Sequence, residues 1–446
     1  MESLELPPSN HRRLALPIVL VFALAAISLL LVTPPVQGNE VVTLASSYAN
    51  QGTISLSSSP VITIGVGTYL SNPDPSGWDW GWVEANSVQL AISQTNAAGG
   101  INVGGITYTL ILVSADDGCN LTQAIPAAYT LLNAGAVAVV GHGCSGASLA
   151  AQPLYNAAGV AMISPSSTNP QITQKGYATS FRTISHDGAS PTLLATYFHS
   201  WLGLSKSAIV DGPARPWGDQ LGDIYRDTFT TLGGTITSRR EVANTTEFTT
   251  TLTAIMAENP DVIYYNDDDP TRAGQFSLSA YSLGMTTTVT GWSYRQDYYR
   301  ALTDYPVVAG TAAAENDYLA LQYRRFEDML GWAAFLSAYQ AASFSHEPNN
   351  PGDYGAFAYD AARMIIAAID RADSTDPVVI RNQIAAMKNY DGVVGMYQGF
   401  DGCGDIVPQW AWLERYQGGQ WIFLASSTLK SNCSIKIFLP LVLRGF

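Results

Sequence analysis

The sequence predicts an α/β fold of two lobes, each a mostly parallel sheet flanked by helices, joined by three hinge crossings. Apolar β-like runs alternate with helical patterns over about 200 residues, the signature of parallel sheets covered by helices. A single sheet built from so many units would be unusually wide, so the 446-residue chain is expected to divide. The most telling observation is a pair of apolar runs, 136–140 and 160–163. They end in Gly141-His142-Gly143-Cys144-Ser145-Gly146 and in Ser164-Pro165-Ser166-Ser167-Thr168-Asn169-Pro170. A strand that stops where a helix begins leaves backbone N–H groups unpaired, and hydroxyl side chains add donors beside them. Two such ends side by side make a socket for a small carboxylate or a similar anion.

The elements follow in order. Residues 61–66 read as a strand, and 81–95 as a helix with Val83, Val88, Leu90, Ala91 and Ile92 available for its inner face. Strand 108–113, helix 121–133, strand 136–140, helix 148–158 and strand 160–163 continue the first lobe. A first crossing is placed at 182–188. Strand 207–210, helix 217–232, strand 235–240, helix 247–258 and strand 262–265 then build the second lobe. A second crossing is expected near Gly310-Thr311, after which the strongly helical 324–370 covers the first lobe. A third crossing at 393–404 leads to a terminal antiparallel pair, 409–413 and 421–424. The lobes are therefore 60–187 with 312–392, and 188–311 with 393–430. Internal repeats and heptads are absent from the sequence.

Both termini are distinctive. Residues 1–38 read as a signal peptide or signal anchor: His11-Arg12-Arg13 is a basic start, and 14–32 is apolar apart from Pro17 and Ser28. That run of about 19 residues is long enough to stay in a membrane. Val-Gln-Gly before Asn39 matches a cleavage site poorly, and no lipoprotein Cys follows. Residues 39–59 form a flexible linker rich in Ser and Thr. The apolar tail 431–446 is too short to span a bilayer, and reads as an edge strand or as a sorting signal.

Composition narrows the function. With 22 basic and 36 acidic residues the net charge is −14, which argues against nucleic acid and against an anionic membrane surface. Only 13% of residues are charged, and 23 Tyr and 10 Trp accompany abundant Ser, Thr and Gly, as in a soluble exported protein rather than a disordered acidic one. Four cysteines suit an oxidising compartment. Cys119 and Cys144 each follow a β-like run, a placement compatible with neighbouring strand ends. Cys403 and Cys433 remain as a second pair, and four buried free thiols are the alternative. The five histidines show no metal-ligand spacing, and the Gly-rich pieces lack a phosphate-loop Lys or a dinucleotide pattern. No cofactor is called for.

At this point the chain resembles the leucine/isoleucine/valine-binding branch of the type I periplasmic binding proteins, the receptors of ABC importers. The resemblance rests on Gly65-Val66-Gly67, Asn96-Ala97-Ala98-Gly99-Gly100-Ile101 and Asp116-Asp117-Gly118-Cys119. It continues through Gly141-His142-Gly143-Cys144-Ser145, 163–170, Lys175-Gly176-Tyr177 and Phe181-Arg182-Thr183. Order and spacing hold from Val61 to Gly291, with a weaker match onward to Phe423. The resemblance implies that Ser145, the backbone around Ser166, and Thr168 hold a ligand carboxylate. It places a disulfide on Cys119 and Cys144, and sets Trp80 and Trp217 against the ligand, one from each lobe. It further implies a membrane permease and an ATPase as partners, with the receptor itself a monomer.

The chain departs from the family at the ligand ammonium. Where the family usually supplies a Glu, the turn reads Gly291-Trp292-Ser293-Tyr294; Ser293 is retained as a candidate contact. Asp268, in Asp267-Asp268-Asp269 after strand 262–265, is the expected substitute. Two other functions are compatible with parts of the sequence. A Cys–His hydrolase would use His142 and Cys144; a sensor of the same fold would report the ligand rather than deliver it, yet no output domain is recognisable.

Overall fold

The computed structural model describes residues 60–71, 80–213, 220–267, 269–285, 289–293, 298–344, 346, 350–429 and 441–443. Strand β1 (Val61–Thr68) is buried at every position after the first, which marks a strand covered on both faces. Helix α1 (Trp80–Ala97) leads to the hairpin β2 (Ile101–Val103) and β3 (Ile106–Asp116). There follow α2 (Leu121–Asn133), β4 (Ala136–Gly141), α3 (Ser145–Ala158), β5 (Ala161–Ser164), the short α4 (Gln171–Gln174) and β6 (Ser180–Arg182). The six strands lie in the order β2-β3-β1-β4-β5-β6, parallel except for the β2–β3 hairpin. Because β1 connects to β3 on one side while β4 lies on the other, the sheet switches direction between β1 and β4. Open α/β sheets bind ligands at the carboxyl ends of strands at such a point.

The chain then enters a second sheet through α5 (Ala189–Thr196), β7 (Lys206–Asp211), α6 (Gln220–Thr231) and β8 (Thr235–Glu241). It continues with α7 (Phe248–Glu258), β9 (Val262–Asn266), α8 (Pro270–Ser282), β10 (Val289–Ser293), α9 (Tyr298–Ala309), α10 (Thr311–Ala314) and β11 (Tyr318–Leu321). Helices α11 (Trp332–Ala342), α12 (Gly355–Ala372) and α13 (Pro377–Ala385) follow. Two small ribbons, β12 (Tyr390–Asp391) with β13 (Met396–Tyr397) and β14 (Gly399–Phe400) with β15 (Ile406–Val407), precede β16 (Gln409–Gln417), β17 (Gln420–Leu429) and β18 (Leu441–Leu443). The order of the second sheet is β18-β17-β16-β11-β10-β9-β7-β8, with β7 to β11 parallel and β16 to β18 antiparallel. Thus the pair expected at 409–413 and 421–424 is the longer hairpin β16–β17, and part of the apolar tail forms its edge strand.

One boundary is corrected. The second crossing lies after Leu321, not at Gly310-Thr311: Tyr318–Leu321 pairs with β10 on one side and with β16 on the other. The helical stretch 324–370 holds two helices, α11 and the start of α12, with α11 ending at Ser343 in the left-handed conformation (φ 52°). Helix α12 covers the first lobe with a continuous apolar stripe of Phe357, Ala361, Met364, Ile365, Ala368 and Ile369, all fully buried. It docks on α1, where the Tyr359 hydroxyl donates to Gln94.

The three crossings run side by side and are tied by buried polar bonds. The Arg182 N–H donates to the Gly404 carbonyl, the Trp410 N–H to Ser185 Oγ at 2.7 Å, and the His186 N–H to Gln409 Oε1 at 2.8 Å. Gln322 donates to Asp187 Oδ1 at 3.0 Å. Buried bonds of this kind hold the hinge in register because an orphaned partner costs about 1–3 kcal/mol.

Cys119 and Cys144 form a disulfide between the ends of β3 and β4, with a Cα–Cα distance of 5.2 Å. Cys403 is disulfide-bonded as well; its expected partner, Cys433, lies outside the described residues. The Cys119–Cys144 bridge spans 25 residues. The double variant Cys119→Ser, Cys144→Ser should therefore lose about 3.5 kcal/mol of stability in urea denaturation, by the chain-entropy estimate.

Candidate functional site

The site begins where β4 ends. The His142 ring is fully buried, with Nδ1 2.9 Å from Asp117 Oδ2 and Nε2 2.9 Å from the Tyr155 hydroxyl. Asp117 accepts, so Nδ1 donates and Nε2 takes the Tyr155 proton. Burial raises the Tyr155 pKa, which keeps that hydroxyl a donor. Gly67 on β1 makes room for the ring; a Cβ there would lie 2.7–2.9 Å from three imidazole atoms.

The His142 carbonyl collects hydroxyls from three elements. Ser148 Oγ (α3) lies at 3.0 Å, Ser164 Oγ (β5) at 2.8 Å and Ser167 Oγ at 2.9 Å. The Gly143 carbonyl is reached by Ser166 Oγ at 2.8 Å and Ser167 Oγ at 3.2 Å. Most hydroxyls that crowd these strand ends are therefore committed to backbone. Two remain. Ser145 opens α3, where Cys144 provides no side-chain cap, and its Oγ takes only a long bond from the Asn169 N–H at 3.3 Å. Thr168 is buried, and its hydroxyl has no partner among the described residues. The socket thus consists of these two hydroxyls and the uncapped first turn of α3. The Ser166 side chain is engaged with Gly143 and with Glu84, which leaves only its backbone unengaged on this side.

Glu84 is the residue that the sequence reading missed. It is fully buried on α1, accepts from Thr68 Oγ1 at 2.7 Å, and contacts Ser166 Oγ. One signal was available: Glu84 is the only charged residue in α1. Trp80, at the start of the same helix, is half-buried with Tyr69 and Tyr354 at ring distances of 6.0 and 6.3 Å. Gly143 allows this approach; a Cβ there would strike the Trp80 ring and lie 2.8 Å from Thr68 Oγ1.

Arg182 holds the Ser166–Thr168 turn from behind. Its guanidinium donates to the carbonyls of Ser167 (3.3 Å) and Asn169 (2.9 Å), to Thr173 Oγ1 (2.9 Å) and to Asp405 at the third crossing. Burial alone would raise the Asp405 pKa, but the Arg182 and His186 charges and the hydrogen bonds from Arg182 and Thr173 together outweigh it and hold the carboxyl below its usual range.

Across the hinge, the acidic residues of the second sheet mostly have structural partners. Asp211 is paired with Arg239 at 2.5 Å and accepts from Asn266. Asp267 takes Arg272 at 2.5 Å and the Tyr265 hydroxyl at 2.7 Å. Asp269 caps α8 by accepting from the N–H groups of Thr271 and Arg272. Asp268 and Trp217 lie outside the described residues. Ser293 is placed by its backbone alone, opposite Ala320 of β11, and its side chain also lies outside them. A separate groove of about 540 Å³ opens at the amino ends of β10 and β11, among Leu204, Ser277, Thr290, Asp317 and Arg415. It belongs to the second sheet, whereas the socket lies on the first. Cys144 and His142 are not assembled as a catalytic pair: Cys144 is in the disulfide, and both His142 nitrogens are engaged.

Residues 61–413 match the family of periplasmic binding proteins. The chain belongs to this family. It is 27% identical over 335 residues to the leucine-specific-binding protein of Salmonella typhimurium, covering 73% of this chain and 84% of that one. The leucine-, isoleucine-, valine-, threonine- and alanine-binding protein of Pseudomonas aeruginosa is 26% identical over 331 residues, covering 73% and 83%. Among solved structures, the ABC transporter substrate-binding protein of Desulfitobacterium hafniense in complex with Leu is 26% identical. It superposes with a TM-score of 0.63 over 82% of this chain and all of that one. The family is one of substrate-binding receptors.

Arg182→Met should lower stability by about 3–5 kcal/mol in urea denaturation, because it leaves Asp405 buried without its countercharge. The Asp405 pKa is depressed in the folded state, so its contribution is present above the unfolded carboxyl range and lost below it. The deficit of the variant should therefore narrow as the pH falls below about 4.

Proposed function

We propose that this protein is the extracytoplasmic solute receptor of an ABC importer. Its ligand is an amino acid, branched-chain or related, or a similar small carboxylate or amide. The observation that carries this reading is the placement of Ser145 after β4 and Thr168 after the neighbouring β5, spared while the surrounding hydroxyls bond to backbone. The names of its relatives, which specify leucine and related amino acids, agree with that chemistry. The first lobe takes the ligand carboxylate. The second lobe then closes about the three crossings, excludes water and strengthens the charge-assisted bonds. Trp80 and Trp217 wall the side chain, one from each lobe. Asp268 faces the ammonium, a role for which Asp267 and Asp269 are unsuited because each already serves a neighbouring group. Ser293 completes the contacts from the second lobe.

The event is binding without chemistry, and the closed monomer is the form that a permease and its ATPase would accept. Export is supplied by residues 1–38, which either are removed or tether the receptor at the membrane. Among the described residues no helix is long and apolar enough to cross a membrane.

Thr168→Ala should weaken leucine binding by about 1.5–3 kcal/mol in isothermal titration, the value of a hydrogen bond to a charged group. Unchanged affinity would put the carboxylate elsewhere. Asp268→Asn should weaken leucine but spare a carboxylate ligand that lacks the amine; equal loss for both would remove Asp268 from the ammonium site.

A further inference from the structure

Ser166 has one hydroxyl proton, and two oxygens lie within hydrogen-bond distance of its Oγ. One is the Gly143 carbonyl oxygen at 2.8 Å; the other is Oε1 of Glu84. A carbonyl cannot donate, so a bond to Gly143 consumes the Ser166 proton. The Glu84 contact then needs a proton from Glu84 itself. If Ser166 instead gave its proton to Glu84, its lone pairs would face the Gly143 oxygen with no proton between them, in a buried site where such repulsion is poorly screened. The remaining oxygen, Oε2, accepts from Thr68 Oγ1 at 2.7 Å. One oxygen donating and the other accepting is the pattern of a neutral carboxylic acid.

We infer that Glu84 is held as the neutral acid beneath the socket, and that its proton is a condition for binding an anionic group there. The second half of this inference rests on the ligand reading above. The surroundings agree with it. Burial, opposed by the bonds from Ser166 and Thr68 and reinforced by the Asp117 charge, pushes the Glu84 pKa up to about 8. Asp117 comes from the end of β3 and is itself bonded to His142, whose other nitrogen is taken by Tyr155 of α3. Asp116 accepts from the Leu70 and Gly118 N–H groups. Tyr69 and Tyr354 sit against Trp80, and the 164–168 turn brings no charge. No Arg or Lys is among the groups that act on Glu84. Ionising Glu84 would place an unpaired negative charge against the ligand carboxylate. Binding would then fall by up to about tenfold per pH unit above the Glu84 pKa. Glu84 acts through Ser166 and Gly143, so it is a positioning residue rather than a ligand contact.

Glu84→Gln tests this because the amide keeps the shape, donates through its NH2 group and stays neutral at every pH. Leucine would be titrated into the wild-type protein and E84Q between about pH 6 and pH 9.5, and the ratio of the two Kd values followed. The ratio cancels the ligand's own titration. It should be nearly constant at low pH and climb toward tenfold per unit above about pH 8. A ratio that stays flat overturns the coupling. Without ligand, the folded pKa of Glu84 lies above its unfolded value of 4.5, so ionisation costs the wild-type protein stability as the pH rises from about 4.5 to about 8. The Tm of E84Q should therefore gain on the wild type across that range, and parallel profiles overturn the neutral acid. If E84Q does not fold, 13C NMR of wild-type protein labelled at Glu Cδ still decides: a carboxyl titrating near pH 8 supports the inference, and none doing so overturns it. If leucine binds neither protein while that carboxyl still titrates, the ligand reading fails and the neutral Glu84 stands.

Discussion

The carboxyl end of the first sheet is organised around the peptide that joins His142 to Gly143. Hydroxyls from α3, β5 and the turn after β5 reach its carbonyl, and the imidazole beside it is locked between Asp117 and Tyr155. Each of these groups is buried, so removing any partner leaves a desolvated polar atom at about 1–3 kcal/mol. The two strand ends therefore cannot slide past one another. Arg182 extends the same tie from β6 to the third crossing, so the hinge and the binding turn share one side chain.

This arrangement divides the labour among similar residues. Ser148, Ser164, Ser166 and Ser167 are bonded within the strand ends, and in our proposal Ser145 and Thr168 are left for the ligand. The socket offers neutral donors rather than a fixed cation. Hydrogen bonds from neutral groups to a carboxylate are worth about 1.5–3 kcal/mol each, enough in sum for affinity when water is excluded. A buried Arg would bind the anion more tightly and slow its release to a transporter. A neutral Glu84 fits that design, because it adds structure to the site without adding charge.

Much of this was legible in the sequence because it is local. The ends of β4 and β5 announced themselves by apolar runs that stop in hydroxyl residues. The Cys119–Cys144 bridge followed from the family resemblance and from its strand-end placement. What failed was non-local. Tyr318–Leu321 is only four residues long, and nothing in them says that one neighbour is β10 and the other β16. Which hydroxyls stay free depends on how three elements converge on one carbonyl, and no spacing rule encodes that. Glu84 could have been noticed as the lone charge in α1, but its burial becomes visible only when α12, β1 and the 164–168 turn close around it.

The most direct measurement is a crystal structure of the protein grown with leucine. The account predicts the ligand carboxylate between Ser145, Thr168 and the first turn of α3, with Trp80 beside the side chain and Ser166 still bonded to Gly143. A carboxylate bound instead to the second lobe, or leucine seated in the groove between Ser277 and Arg415, would contradict it.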